Sequence, residues 1–165
     1  MKNLRENWKK DPFKKNIFWI FIVSGGFIGF IPPFPGTLGA LEGLFIFLIF
    51  KNTSILTQSL ILIPLILIGI IGSRRMIKIF KERDPEFVVI DEIAGMFISL
   101  IGKKEWWELA GAFLLFRLLD ITKPFFIKDL EEIPEGVGVL ADDLVAGILT
   151  NLILLSFKWS YLKLL

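Results

Sequence analysis

Nine residues of this chain carry polar chemistry into or beside strongly apolar sequence: Thr37, Asp84, Asp91, Glu92, Arg117, Asp120, Lys123, Asp142 and Asp143. Asp91 and Glu92 stand in FVVIDEIAGMFISL, and Asp142 and Asp143 in VLADDLVAGILTNLILL. A carboxylate pair within an apolar run is costly in lipid, so its default reading is functional. Adjacent helical positions differ by about 100°, so the two acids of a pair can face one cavity but not one point. Each pair is followed by an Ala-Gly step, and Gly95, one turn after Asp91, admits another helix or a ligand. Acids without His or Cys are hard oxygen donors, suited to Mg²⁺, Mn²⁺ or Ca²⁺. The bland alternatives are acids favoured by a helix N-terminal dipole and an Asp142 that only caps its helix. They serve one pair more readily than both.

Arg117, Asp120 and Lys123 in FRLLDITKP are spaced by three and share a face while the helix lasts, up to a break expected at Pro124. They read as an anion clamp beside a metal ligand, or as an Arg117–Asp120 pair with Lys123 at the lipid headgroups. In PGTLG, Thr37 is placed as an N-cap, and free amides at such a terminus can hold phosphate. Asp84 precedes Pro85 and is also a turn initiator. Glu42, inside an apolar segment, requires a polar partner, either at the site or at a neighbouring helix end.

The chain has no His and no Cys. That excludes Ser-His-Asp hydrolysis, cysteine and histidine nucleophiles, zinc sites of the Cys/His type and disulfides. Nor is there a D-x-D segment for an aspartyl-phosphate hydrolase of the haloacid type. Nineteen basic against 17 acidic residues give a net charge of +2, too balanced for a nucleic-acid partner. At 165 residues and 54 % apolar composition, the expectation is one membrane domain over 1–165, with 1–15 a basic cytoplasmic arm.

These residues need elements that bring them to one place. No charge occurs from Asn16 to Leu41, but Pro32, Pro33 and Pro35 interrupt the stretch. Residues 17–31 therefore read as an interfacial or re-entrant segment, followed by a helix from about Thr37 to Phe50. Residues 54–72 form the clearest span, with a charged loop over 73–86 after it. Shorter apolar segments follow at about 87–101, 106–121 and 139–157. The expected fold is all-α, a polytopic bundle of about five spans plus the N-terminal interfacial segment. Lys2, Arg5, Lys9, Lys10, Lys14 and Lys15, with Arg74, Arg75, Lys78, Lys81 and Arg83, place the arm and the 73–86 loop in the cytoplasm. Lys103 and Lys104, on an outer turn, run against that rule. In this topology all nine residues fall near cytoplasmic ends, although they come from four segments.

Four blocks, PFPGTLGAL, DPEFVVIDEIAGMFISL, FRLLDITKP and GVGVLADDLVAG, closely resemble the phosphatidylglycerophosphatase A family, in its order and spacing, over about residues 24–157. The resemblance implies a Mg²⁺-dependent phosphatase, with Mn²⁺ as a substitute, in the bacterial inner membrane with its site facing the cytoplasm. Its substrate would be phosphatidylglycerophosphate and its product phosphatidylglycerol. The matching positions are the nine residues named above. Asp91, Asp120 and Asp143 become the candidate catalytic acids. Glu92, Asp91, Asp142 and Asp143 become the candidate metal ligands, and Thr37, Arg117, Lys123 and Asp84 the candidate substrate-binding residues. The competing class is a divalent-cation transporter or channel. It is disfavoured by cations set among the acids and by acids gathered at one interface. A lipid phosphotransferase would need a D-G-x-x-A-R segment, which is lacking.

Overall fold

A computed structural model describes residues 11–82, 84–124, 127 and 137–164. These residues form helices joined by turns, with no strand among them. The helices are α1 (Asp11–Lys15), α2 (Ile17–Val23), α3 (Pro35–Phe50), α4 (Ile55–Phe80), α5 (Ile90–Leu100), α6 (Trp106–Thr122) and α7 (Val137–Leu164), with a 3₁₀ turn at Ile28–Phe30. Lys2, Arg5, Lys9, Lys10, Arg83 and residues 125, 126 and 128–136 lie outside the described residues.

The bundle is organised around α5, which packs against α3, α4, α6 and α7. All its residues except Glu92 and Ile98 are buried. The outer helices keep apolar side chains on the surface, among them Phe45 and Ile49 of α3, Leu60 and Leu67 of α4, Leu114 and Leu118 of α6 and Leu152 of α7. A water-soluble monomer rarely shows so much contiguous apolar surface. Two helices, over Ile55–Phe80 and Val137–Ser160, are long and apolar enough to cross a membrane. With 16, 11 and 17 residues, α3, α5 and α6 are shorter than the roughly 20 that a full span takes.

Local chemistry sets the boundaries. The first helix turn of α3 begins at Pro35, two residues before the expected start, because proline's fixed φ and missing N–H suit that position. Ser54 caps α4, its Oγ accepting from Thr57 N–H at 3.1 Å. The expected loop over 73–86 is helical as far as Phe80. Arg, Lys and Met propagate a helix as well as Leu does, and Ser73 and Met76 stay buried against the bundle. The helix stops at Lys81, which turns left-handed and donates its N–H to Ile77 O at 2.8 Å. The 17–31 segment does not cross the bundle. After α2 the chain reverses through Gly25, Gly26 and Phe27, all with positive φ, and Val23 O accepts from Val89 N–H at 2.8 Å.

At the opposite end of the bundle Lys103 is buried, donating to Asn151 O at 3.2 Å and Asn151 Oδ1 at 3.0 Å. Burial pushes its ammonium below its usual pKa range, against the pull of Glu108. It is a structural cation tying the α5–α6 turn to α7, so it carries no weight as a topology signal. Lys104 beside it is exposed.

Candidate active site

Asp91 and Glu92 occupy the first turn of α5. Asp142 and Asp143 lie in the second turn of α7, since that helix already runs from Val137. Asp142 is therefore not a helix N-cap. The two helices run side by side and meet at glycine. A Cβ on Gly147 would collide with Gly95 O, and one on Gly95 would lie 2.7 Å from Asp143 O. Asp91 precedes Gly95 by four residues and Asp143 precedes Gly147 by four. This contact, one turn below the acids, puts Asp91 and Asp143 at one level. Carboxylate oxygens of Asp91, Glu92 and Asp143 all lie within 4.8 Å of one another.

Both pairs repeat one local device. Asp91 Oδ1 accepts from Glu92 N–H at 3.1 Å, and Asp142 Oδ1 accepts from Asp143 N–H at 3.0 Å. The outcomes differ at the second oxygen. Asp142 Oδ2 takes Lys123 Nζ at 2.6 Å, so Asp142 faces α6, outside the carboxylate trio. Asp91 belongs to the trio.

The last turns of α6 and the residue that follows them supply the cations. Arg117 pairs with Asp120 through Nη1, and the side chains are 15 % and 12 % exposed. The charge of Asp120 acts on Asp143, which links the pair to the trio. The helix ends at Thr122, as Pro124 demands. Lys123, left-handed with φ 39°, swings off the helix axis toward Asp142. Asp84 is exposed, and its charge acts on Asp91.

The start of α3 completes the site through a residue that spacing alone did not single out. A Cβ on Gly36 would overlap Glu92 Oε1 and lie 3.3 Å from Arg117 Nη1. The glycine thus brings the helix N-terminus against a carboxylate and a guanidinium together. Pro35 has no N–H, and the first intrahelical bond is donated by Leu38 to Phe34 O at 3.2 Å. The amides of Gly36 and Thr37 precede that bond, where α-helical donors point out of the helix. Thr37 is in the first turn of α3, not at its N-cap, which is Phe34. The cue in the sequence was the Pro-Gly-Thr order.

Two buried polar atoms at this place have no hydrogen-bond partner among the described residues: Glu92 Oε2 and Arg117 Nε. One is an anion acceptor and the other a cationic donor. Buried polar atoms normally find partners. Three crowded carboxylates would repel one another without a cation. Their chemistry fits a hard divalent ion, and Arg117 with the start of α3 fits an oxyanion. Glu42 is elsewhere. Its carboxyl abuts Gly25 in the turn after α2, and it is outside the trio.

The sequence model of the family described as phosphatidylglycerophosphatase A matches residues 21–158. A Bacteroides thetaiotaomicron protein provisionally named a phosphatidylinositol-3-phosphatase is 31 % identical over 155 residues, covering 88 % of this chain and 98 % of its own length. The phosphatidylglycerophosphatase A of Escherichia coli K12 is 30 % identical, covering 86 % of this chain and 84 % of its own. That of Haemophilus influenzae is 33 % identical, covering 85 % and 89 %. No solved structure matches. The four motif blocks that build the site all fall within the matched span, and the chain belongs to the phosphatidylglycerophosphatase A family, as a phosphatase.

Proposed function

We propose that the chain hydrolyses the terminal phosphomonoester of phosphatidylglycerophosphate, releasing phosphatidylglycerol and inorganic phosphate, with Mg²⁺ as cofactor and Mn²⁺ as a substitute. The observation that carries this reading is the trio Asp91, Glu92 and Asp143 beside Arg117 and the α3 N-terminus. Asp91, Glu92 and Asp143 would hold the ion. When bound, it supplies charge neutralisation and Lewis-acid polarisation of the phosphoryl group.

A phosphomonoester carries about −1.5 to −2 charges at neutral pH, so a site of acids alone would reject it. Arg117 offers a planar fork to two phosphate oxygens, Lys123 a point charge, and Gly36 and Thr37 their amides. Asp142 holds Lys123 in place, and Asp120 holds Arg117. Asp91, Asp120 and Asp143 are the carboxylates available to take the proton of the attacking nucleophile. Asp84, exposed at the rim, is left to the headgroup. Cations set this closely among the acids oppose the transporter reading.

In the membrane, α3 to α7 make five passes, with α5 shielded by the others and its 11 residues rising only about 16 Å. The acids at its start then lie near headgroup depth, where a lipid phosphate is found. Arg74, Arg75, Lys78 and Lys81 leave α4 at this same end, which by the positive-inside rule faces the cytoplasm across the bacterial inner membrane. Purified protein in detergent micelles, given phosphatidylglycerophosphate, phosphatidylinositol 3-phosphate and phosphatidic acid in parallel, tests the substrate. The highest kcat/KM is expected for phosphatidylglycerophosphate. A clear preference for phosphatidylinositol 3-phosphate would move the assignment to that lipid.

A further inference from the structure

Leu114, Leu118 and Ile121 are 69 %, 57 % and 70 % exposed. Their spacing of four and then three places them on one stripe of α6. Arg117 lies at the edge of that stripe, preceding Leu118 by one residue and Ile121 by one turn. Its guanidinium leaves the stripe inward, to Asp120 and to the start of α3 beside Gly36. On the α3 side the chain that enters this contact is also apolar and exposed, with Ile31 at 51 % and Phe34, two residues before Gly36, at 67 %. Among the described residues, the charged site therefore adjoins apolar surface where the last turns of α6 meet the first turn of α3. A soluble phosphomonoester needs no such border. A lipid phosphomonoester needs one, because its phosphate must be bound among charges while its tails remain in hydrocarbon.

We infer that the Leu114–Leu118–Ile121 stripe of α6 is the track on which the acyl chains of the lipid substrate lie while Arg117 holds its phosphate. The inference rests on the lipid-phosphatase reading, and it adds the face from which substrate arrives: sideways from the bilayer, along α6. The occupant is the tails of the substrate itself. The support is continuity of the stripe with the anion-binding guanidinium and the match of an apolar track to a charged end.

The chain has no native cysteine, so a fluorophore can be placed at Ile121→Cys and, as a control, at Leu60→Cys on the exposed apolar face of α4. The probe is a non-hydrolysable phosphonate lipid with brominated acyl chains, at low mole fraction in phosphatidylcholine vesicles. Quenching at position 121 is expected to be saturable and several-fold stronger than at position 60. Brominated phosphatidylcholine at the same mole fraction should quench the two positions alike. Equal quenching by the phosphonate at both positions makes the stripe ordinary lipid-facing surface and overturns the proposal. Quenching at 121 that the unbrominated phosphonate cannot compete away also overturns it. Phosphate release by wild-type protein is measured alongside. Release with equal quenching removes only the track. Preferential quenching without release leaves the track and removes the phosphatase reading.

Discussion

Gly147 stands where any larger residue would run into the backbone oxygen of Gly95, and that contact sets the separation of Asp91 from Asp143 one turn away. The packing of α5 on α7 and the acid cluster are thus one feature. Gly147→Ala is expected to force the helices apart at a cost of about 1–3 kcal/mol, typical of overpacking. It should also lower turnover and divalent-ion affinity together. Gly111→Ala is the contrast. Its Cβ would meet only the end of the Leu154 side chain, Cδ2 at 3.2 Å, rather than backbone, so the strain falls on one side chain, offsets the roughly 0.5–1 kcal/mol that a helical alanine gains over glycine, and leaves the acids in place. Thermal unfolding and phosphate release on both variants check this. Equal behaviour would show that the glycine contact does not position the acids.

Asp142 is expected to act through Lys123, despite its place in an acidic pair. Asp142→Asn should raise KM for the lipid while leaving the divalent-ion requirement unchanged. Glu92→Gln should lower metal affinity by roughly 100-fold, the upper end of what even outer-sphere changes to a metal site cost. Titration of Mg²⁺ or Mn²⁺ into each variant decides. A raised ion requirement in Asp142→Asn would put Asp142 back among the ligands.

The phosphate clamp has its own signature. Lys123→Ala is expected to lower kcat/KM by about 10-fold or more, the scale of a lost charged hydrogen bond. Arg117→Lys keeps the charge but loses the fork, and should still lower kcat/KM by about 10-fold. Thr37→Ala should cost less, because the backbone amides remain. An unchanged kcat/KM in Lys123→Ala would leave Lys123 as a headgroup anchor paired with Asp142.

Much of the site was legible because lipid penalises stray charge. Asp91, Glu92 and Asp143 were conspicuous in apolar runs, and α5 and α7 bring them together. The pairing of Lys123 with Asp142, 19 residues apart, was not legible. It depends on a left-handed residue after α6 and on the approach of α7, neither encoded locally. The extension of α4 to Phe80 was hidden because charge marks where lipid ends, and a helix continues as long as its residues propagate and one face stays covered. Lys103 misled for a related reason. On an outer turn it counted against the positive-inside rule, whereas Asn151 holds it inside the protein.

Orientation can be read without any chemistry. Single cysteines at Lys81 and at Ser54, at the two ends of α4, are expected to react with a membrane-impermeant thiol reagent from opposite sides, position 81 from the cytoplasm. Labelling of position 81 from outside would place the acid cluster on the wrong face.

The most direct test of the central claim is phosphate release from phosphatidylglycerophosphate by wild-type protein and Asp143→Asn, each metal-stripped and then given Mg²⁺. Wild-type protein should be inactive when stripped and regain activity with Mg²⁺. Asp143→Asn should stay slow at Mg²⁺ levels that saturate the wild type. Full activity of stripped wild-type protein, or near-normal turnover by Asp143→Asn at the same Mg²⁺ level, would contradict a divalent-ion site built from Asp91, Glu92 and Asp143.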